Sequence, residues 1–310
     1  MKDAQTLSKE LGFSLSILRA VASNPKSLYH YQRRQLGKKK RLLRIPVGTL
    51  RAIAKAAKKN ILDPMPLPAT VHGWRRRHSP KTYSKGHVRQ GVVVNADIQD
   101  SFPSVGAGRV YGFWVEAGYS PEAARLLTCL TTLDNQLPQG SPTSQSIGNH
   151  ILGGLNRRLW PLARQHGLNY GSYGDEVSIS GRRRAAKLKG LIVRIIQQEG
   201  FKANPDKIKV MFRDARQELT GNVVNKKVGP GRPVYRELRA ILRNCLHRGP
   251  ESQNRSNHPN FMQRLRGRIA QFQYLNPRLG RKLLAEFKRI QWPVDTSRQS
   301  GGTGTLAAPA

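Results

Sequence analysis

Acidic residues are scarce in this chain: 18 Asp and Glu stand against 54 Lys and Arg, a formal net charge of +36 over 310 residues. Cysteine is scarcer still, with Cys129 and Cys245 the only two. That excludes a disulfide scaffold and fits a reducing compartment. No apolar run approaches the ~18 residues that a membrane-spanning helix needs. The opening Met-Lys-Asp-Ala-Gln leads into no apolar stretch, so no signal peptide is expected. Glycine (29) and proline (19) are modest and aperiodic, which excludes collagen-like and low-complexity chains. No internal repeat is found.

Apolar residues make up 38% of the chain and come in periodic blocks. They are enough for one large domain or two small ones. The charge points to a polyanionic partner, nucleic acid first. A membrane surface is the weaker alternative, because no long basic amphipathic helix stands out. Only Asp3, Glu10 and Asp63 precede Asp97, whereas basic runs are dense there. One gathers Arg33, Arg34, Lys38, Lys39, Lys40, Arg41 and Arg44; the other Arg75, Arg76, Arg77, Lys81, Lys85 and Arg89. Tyr29, Tyr31, Trp74 and Tyr83 lie among them, a mixture that suits phosphate contact with base stacking.

Leu50, Ile53, Ala54, Ala57 and Ile61 predict a helix with Thr49 as N-cap. The run Val92-Val93-Val94 predicts a buried strand ending at Asp97. Ile147, Ile151, Leu155 and Leu159 predict one helix opened by Ser141-Pro142. Residues 168–173 and 177–180 predict two strands joined through the turn Gly174-Asp175-Glu176. Leu188, Leu191, Ile192, Ile195 and Ile196 form a helical stripe that stops at Gly200. Further on, Leu238, Ile241, Leu242 and Cys245 predict a helix whose outer face carries Arg236, Arg239 and Arg243. Phe261, Leu265, Ile269 and Phe272 predict another. From Thr296 onward the Ser/Thr/Gly-rich tail is expected to be disordered.

Strand ends and hairpin turns of one sheet can converge. Asp97, Asp175 and Glu176 brought together would repel one another and raise each other's pKa, and a divalent cation would relieve that conflict. Hard oxygen donors select Mg²⁺, which takes one or two carboxylates plus substrate phosphates. Two such ions clamp the attacking and leaving oxygens of phosphoryl transfer. A basic protein with an acidic point therefore suggests nucleotidyl transfer, although an Asp in a turn is more often structural.

The wording around these acids is more specific. Residues 97–105, Asp-Ile-Gln-Asp-Ser-Phe-Pro-Ser-Val, resemble motif A of reverse transcriptases. Residues 137–144, Leu-Pro-Gln-Gly-Ser-Pro-Thr-Ser, resemble motif B, and Tyr173-Gly174-Asp175-Glu176 stands where the family has Tyr-x-Asp-Asp, motif C. Gly200 to Lys207 is similar to motif D, and Leu219 to Asn225 to the segment after it. Order and gaps are the family's. Val71-His72-Gly73-Trp74, Arg109-Val110-Tyr111-Gly112 and residues 236–241 are similar to the bacterial retron enzymes, so the resemblance covers roughly residues 40 to 292. Two departures stand out. Tyr83-Ser84-Lys85-Gly86-His87 occupies the place of Asn-Ala-x-x-His and keeps only the His; Glu176 replaces the second Asp of motif C.

The resemblance implies an α+β right-hand polymerase: N-terminal helices and basic fingers in 1–90, a palm with inserted fingers helices in 91–228, a helical thumb in 229–295 and a tail in 296–310. It implies Asp97, Asp175 and Glu176 as catalytic carboxylates holding two Mg²⁺, with the Ile98 carbonyl completing the shell. Whether Glu176 reaches the metal or points aside stays open. Phe102 would lie under the sugar and exclude a ribonucleotide 2′-OH, and Gln139 and Gly140 would lie against the incoming dNTP. Arg41, or Lys39, would grip the triphosphate. Lys207 would give a proton to pyrophosphate. Arg75, Arg76, Arg77, Arg236, Arg239 and Arg243 would contact nucleic acid. The implied activity is RNA-directed DNA synthesis on a cognate structured noncoding RNA, primed from a guanosine 2′-OH. It would leave a branched RNA-linked DNA, in a bacterial cytoplasm, in anti-phage defence with a separate effector protein. The alternatives are another bacterial reverse transcriptase, of group II intron or stand-alone defence type, and a catalytically impaired RNA-binding protein on the same fold. A nucleic-acid compacting protein is a third.

Overall fold

The computed structural model describes residues 1–36 and 39–293, with the side chains of Leu36 and Lys39 left out. The chain divides into two compact units, Met1–Val228 and a second that begins at Gly229.

The first unit opens with α1 (Ala4–Leu11) and α2 (Leu15–Ser23). Asp3 and Ser14 cap them, accepting from the Thr6 amide at 2.8 Å and the Ile17 amide at 3.4 Å. An antiparallel hairpin follows, β1 (Tyr29–Leu36) and β2 (Lys39–Pro46), with Tyr29 opposite Pro46 and Arg34 opposite Arg41. Next comes α3 (Gly48–Ala56), which turns Leu50, Ile53 and Ala54 inward and runs on through a π turn at Ala57–Leu62. Thr49 is not its N-cap. Val47 holds that position, its carbonyl accepting from the Arg51 amide at 3.2 Å. The inward register of Leu50 and Ile53 outweighs the one hydrogen bond a Thr cap would add.

The short α4 (Pro80–Lys85) is stiffened by a capping box between Ser79 and Thr82, with Pro80 in its first turn. After β3 (Val92–Asp97) come α5 (Ala107–Glu116) and α6 (Pro121–Thr131). The expected single helix over residues 147–159 is two helices, α7 (Ser144–Ile151) and α8 (Gly153–Gln165). They part at Leu152, where the pair Gly153-Gly154 weakens helix propensity. Pro142 lies before α7 and not in its first turn; the segment is instead tied down by Ser144 Oγ, which donates to the Pro138 carbonyl at 2.8 Å.

β4 (Asn169–Tyr173) and β5 (Glu176–Gly181) pair with Tyr173 opposite Glu176. The turn is therefore Gly174-Asp175 alone, and Glu176 belongs to the strand. Gly174, at φ 60°, supplies the left-handed residue that such a tight connection needs. α9 (Lys189–Gln198) ends before Gly200, at φ 74°. Its stripe buries Ile192, Ile195 and Ile196, while Leu188 precedes the helix and Leu191 faces solvent. β6 (Lys209–Phe212) and the short hairpin β7 (Glu218–Leu219) and β8 (Asn222–Val223) complete the unit.

Four strands form one antiparallel sheet in the order β4-β5-β3-β6. Strand alternation decides what each face carries. Val92, Val94 and Ala96 of β3, with Val177 and Ile179 of β5, enter the large core with the helices. The opposite face presents Val93, Asn95 and Asp97 beside Glu176, Ser178 and Ser180. Tyr83 of α4 covers it, in a small cluster with Val93, Met211, Leu219 and Val224. A polar row under a helix is tolerated only if its groups are bonded, and His87 Nδ1 lies 2.7 Å from Ser180 Oγ.

The second unit has its own core. α10 (Arg232–Arg248), α11 (Phe261–Leu275) and α12 (Pro277–Lys288) bury Leu238, Leu242, Cys245, Leu265, Ile269, Phe272, Leu283 and Phe287. Full burial of each such aliphatic or aromatic side chain contributes roughly 1.5–3 kcal/mol. Gly280 lets α12 meet α11, since a Cβ there would come within 2.4 Å of Gln273 Cα. The tail from Thr296 lies outside the described residues. Among the described residues no helix is long and apolar enough to cross a membrane.

Candidate active site

The end of β3 and the β4–β5 turn meet because the strands pair in register. Asp97 stands opposite Glu176, and the Ile98 amide donates to the Asp175 carbonyl at 2.9 Å. The segment after α9 closes on the same point. Gln99 N donates to Lys202 O at 2.8 Å, and Asn204 N to the Asp97 carbonyl at 2.8 Å. This places Lys207 over Asp97, its Nζ 2.9 Å from Oδ1 and 2.8 Å from Oδ2. Asp97 is 8% exposed, whereas the Lys207 side chain is about half exposed at 49%.

A cavity of about 610 Å³ opens here, lined by Asp97, Ile98, Phe102, Gln139, Asp175 and Lys207 together with Arg41. The sequence-predicted residues thus converge from separate segments. Burial, and then the Asp97 charge, raises the Asp175 pKa, while Lys207 and Arg41 act in the opposite direction. Glu176 is pushed up to about 7, chiefly by burial and then by Asp97 and Asp175. Both shifts mark a place where negative charge is crowded and a cation is favoured.

Glu176 does not line the cavity. Its Oε1 lies 3.4 Å from the hydroxyl of Tyr83, below the sheet edge. Among the described residues no group of three or more His, Cys, Asp or Glu side chains is arranged to hold a metal ion. Two aspartates and a neighbouring carbonyl remain a fitting donor set for Mg²⁺, because that ion keeps water and substrate phosphates in its shell.

The loop before α7 is bound to the hairpin. Arg44 N donates to the Gln139 carbonyl at 2.7 Å. Gly140 sits at φ 120°, where a Cβ would lie 3.0 Å from the Arg44 carbonyl oxygen and 3.1 Å from Ile45 Cγ1. Only glycine satisfies both demands. Phe102 packs against Trp74, ring centroids 5.3 Å apart. Trp74 holds a left-handed φ of 53° and lies across Gly174, whose added Cβ would be 2.8 Å from the indole.

The basic residues divide. Arg75 is half-buried and donates to the Pro68 carbonyl at 2.8 Å, which engages it in holding its own loop; Arg76 and Arg77 are exposed. Arg236, Arg239 and Arg243 are exposed on α10 in the second unit. There Arg239 and Arg243 line a groove with His247 and Arg289. Lys39 lies in β2, but its side chain is outside the described residues. Sequence reasoning missed Lys40, Trp74, Asp100 and Asn204 as lining residues. Lys40 and Trp74 belong to stretches already conspicuous for charge and aromaticity. Asp100 and Asn204 carry no signal beyond their nearness to Asp97 and Lys207.

No family model matches the chain. It is 31% identical over 298 residues to the retron Mx65 reverse transcriptase of Myxococcus xanthus, covering 88% of this chain and 68% of that protein. It is 29% identical over 341 residues to the retron Mx162 reverse transcriptase of the same organism, covering 97% of this chain and 69% of that one. Among solved structures it matches telomerase from Candida albicans in complex with a telomeric RNA fragment. The TM-score is 0.47 and the identity 8%, over 84% of this chain and 56% of that one.

Proposed function

This chain belongs to the retron reverse transcriptases, and from that premise we propose that it copies a cognate structured noncoding RNA into single-stranded DNA at the Asp97–Asp175 cavity. Membership makes it an RNA-directed DNA polymerase. The observation that carries the assignment of the site is that Asp97, Asp175, Arg41, Phe102, Gln139 and Lys207, from separate segments, line one cavity.

Nucleotidyl transfer asks a protein for positioning and charge neutralisation, with little covalent work. Asp97 and Asp175 would hold Mg²⁺, with the Ile98 carbonyl beside them. When bound, the metal supplies neutralisation of the phosphate oxygens. The guanidinium of Arg41, with Lys40 and Lys39 beside it in sequence, grips the triphosphate through paired donors. Gln139 and Gly140 bound the nucleotide, and Phe102 lies under its sugar. Lys207 leaves Asp97 and holds its proton at Nζ for the departing pyrophosphate. In this reading β1–β2 and their neighbours are fingers, the four-stranded sheet is the palm, and the helices from Gly229 are the thumb of a right-hand polymerase. Arg76, Arg77 and the α10 arginines neutralise phosphates of template or product.

The family resemblance supports the finer parts of the proposal: priming from a guanosine 2′-OH, a branched RNA-linked DNA that stays bound, and anti-phage defence with a separate effector protein. The test is radiolabelled dNTP incorporation on a primed RNA with Mg²⁺, using wild type, Asp97→Ala and Glu176→Asp. Incorporation by wild type that is lost in Asp97→Ala is the expected result. RNA that co-purifies with wild type without any incorporation would favour an RNA-binding protein instead. Sequencing co-purified nucleic acid identifies the template, and its resistance to separation of RNA from DNA tests the branch.

A further inference from the structure

The two places where this chain departs from the family pattern touch each other. Tyr83, in the place of Asn, is buried to 1% exposure, and its hydroxyl lies 3.4 Å from Oε1 of Glu176, which takes the place of Asp. The same hydroxyl lies 2.6 Å from Ser178 Oγ, one side chain along the same face of β5. Asn95, oriented so that its amide is satisfied, donates to Glu176 Oε1 at 3.2 Å and to Ser178 Oγ at 2.6 Å. The Tyr83 hydroxyl, whose one proton is shared with Ser178 Oγ, and the Asn95 amide therefore both face Glu176 Oε1. Asp97 and Asp175 line the cavity; Glu176 does not.

We propose that Tyr83 is a positioning residue: with Asn95 it draws the longer Glu176 side chain down beside the sheet and keeps its carboxylate out of the nucleotide cavity. Glu has one methylene more than Asp, about 1.5 Å of added reach, and a free Glu176 would swing toward the space where the triphosphate must fit. There it would repel the phosphates. The Tyr83 hydroxyl removes that freedom. α4 holds Tyr83 firmly enough to do so: Ser84 Oγ accepts from the Asn222 amide at 3.1 Å, and His87 anchors the next turn on Ser180.

The proposal rests on the polymerase reading, and the experiment separates the two. Wild type, Tyr83→Phe, Glu176→Gln and the double variant form a cycle, with Asp175→Asn beside it for comparison, measured for dNTP KM and kcat and for thermal unfolding without metal. Tyr83→Phe keeps the ring and removes only the hydroxyl. With Glu176 in place it is expected to raise dNTP KM about fivefold, and in the Glu176→Gln background less than about twofold, a coupling typical of contacting residues. The unfolding midpoints should be non-additive in the same pair. Equal effects of Tyr83→Phe in both backgrounds would overturn the proposal, as would Glu176→Gln losing as much activity as Asp175→Asn. Should Tyr83→Phe not fold, Ser178→Ala takes its place in the cycle. If wild type incorporates nothing, the polymerase reading fails, while the unfolding cycle still decides whether Tyr83 and Glu176 are coupled.

Discussion

The ammonium of Lys207 lies 2.9 and 2.8 Å from the two carboxylate oxygens of Asp97, so two residues that line the cavity neutralise one another there. A metal held by Asp97 would compete with Lys207 for the same oxygens. Because Lys207 is half exposed, the pair is screened by solvent and contributes at most roughly 1 kcal/mol. Lys207→Met should therefore lower the half-saturating Mg²⁺ by about two- to fivefold. Loss of its proton should at the same time cost on the order of 10² in kcat. A Mg²⁺ titration of incorporation rates checks both. A kcat that falls while the Mg²⁺ requirement stays put would show that the pair does not guard the site.

Phe102 and Trp74 both line the cavity, their rings tilted against each other with centroids 5.3 Å apart. Phe102→Ala should relax discrimination against ribonucleotides by roughly 10–200-fold, the value of one pocket contact. Trp74→Phe, which keeps an aromatic backing, should relax it far less. Competition between dNTP and rNTP on one RNA template measures the ratio directly.

Gly140 combines φ 120° with close contact to the backbone of β2. Gly140→Ala should cost about 1–3 kcal/mol of local strain. Much of that is expected to appear as a higher dNTP KM, because the strained contact moves Gln139. Steady-state kinetics at several dNTP concentrations, with a thermal scan, separates the two effects.

The pH dependence has a definite sign. The Glu176 pKa is raised in the folded chain, from the ordinary 4.5 to about 7. Between those values the folded state holds a proton that the unfolded chain has lost, so stability falls as pH rises. Buried His87 acts oppositely. Its pKa is lowered to about 4 by burial, so stability rises from about 4 toward the ordinary 6.5. The stability difference between Glu176→Gln and the metal-free wild type should grow from pH 4.5 to 7 and then level off. Denaturant melts across that range test it.

Arg236, Arg239 and Arg243 share the exposed face of α10. If each neutralises one phosphate, replacing all three with Ala should reduce the slope of log affinity against log salt by about 2 to 3. Nucleic-acid binding at several salt concentrations reads that slope, and an unchanged slope would remove this face from the interface.

Local chemistry made much of this chain legible before any folding was considered. A valine run must be buried, so β3 and its terminal Asp97 stood out. The scarcity of acids made each one conspicuous. Gly174 and Gly200 marked a turn and a helix end, because they supply left-handed backbone at little cost. Helix starts were harder. Thr49 and Pro142 carry the right chemistry for an opening turn, yet the inward register of Leu50 and Ile53, and the Ser144 to Pro138 bond, set those boundaries elsewhere.

What the sequence determined by itself is which residue types stand at which spacing: the strand-end aspartate, the Gly174-Asp175 turn, the basic hairpin and the helical stripes. Strand pairing decided the rest. Register set Asp97 opposite Glu176 and Tyr173 opposite Glu176, turning an expected turn residue into a strand residue. Side-chain packing from α4, more than ninety residues away in sequence, then directed Glu176 toward Tyr83 and off the cavity wall. The same kind of long-range contact tied Lys207 to Asp97. Hydrogen bonds and ion pairs act over about 3 Å, and only the closed chain brings such distant residues within that range.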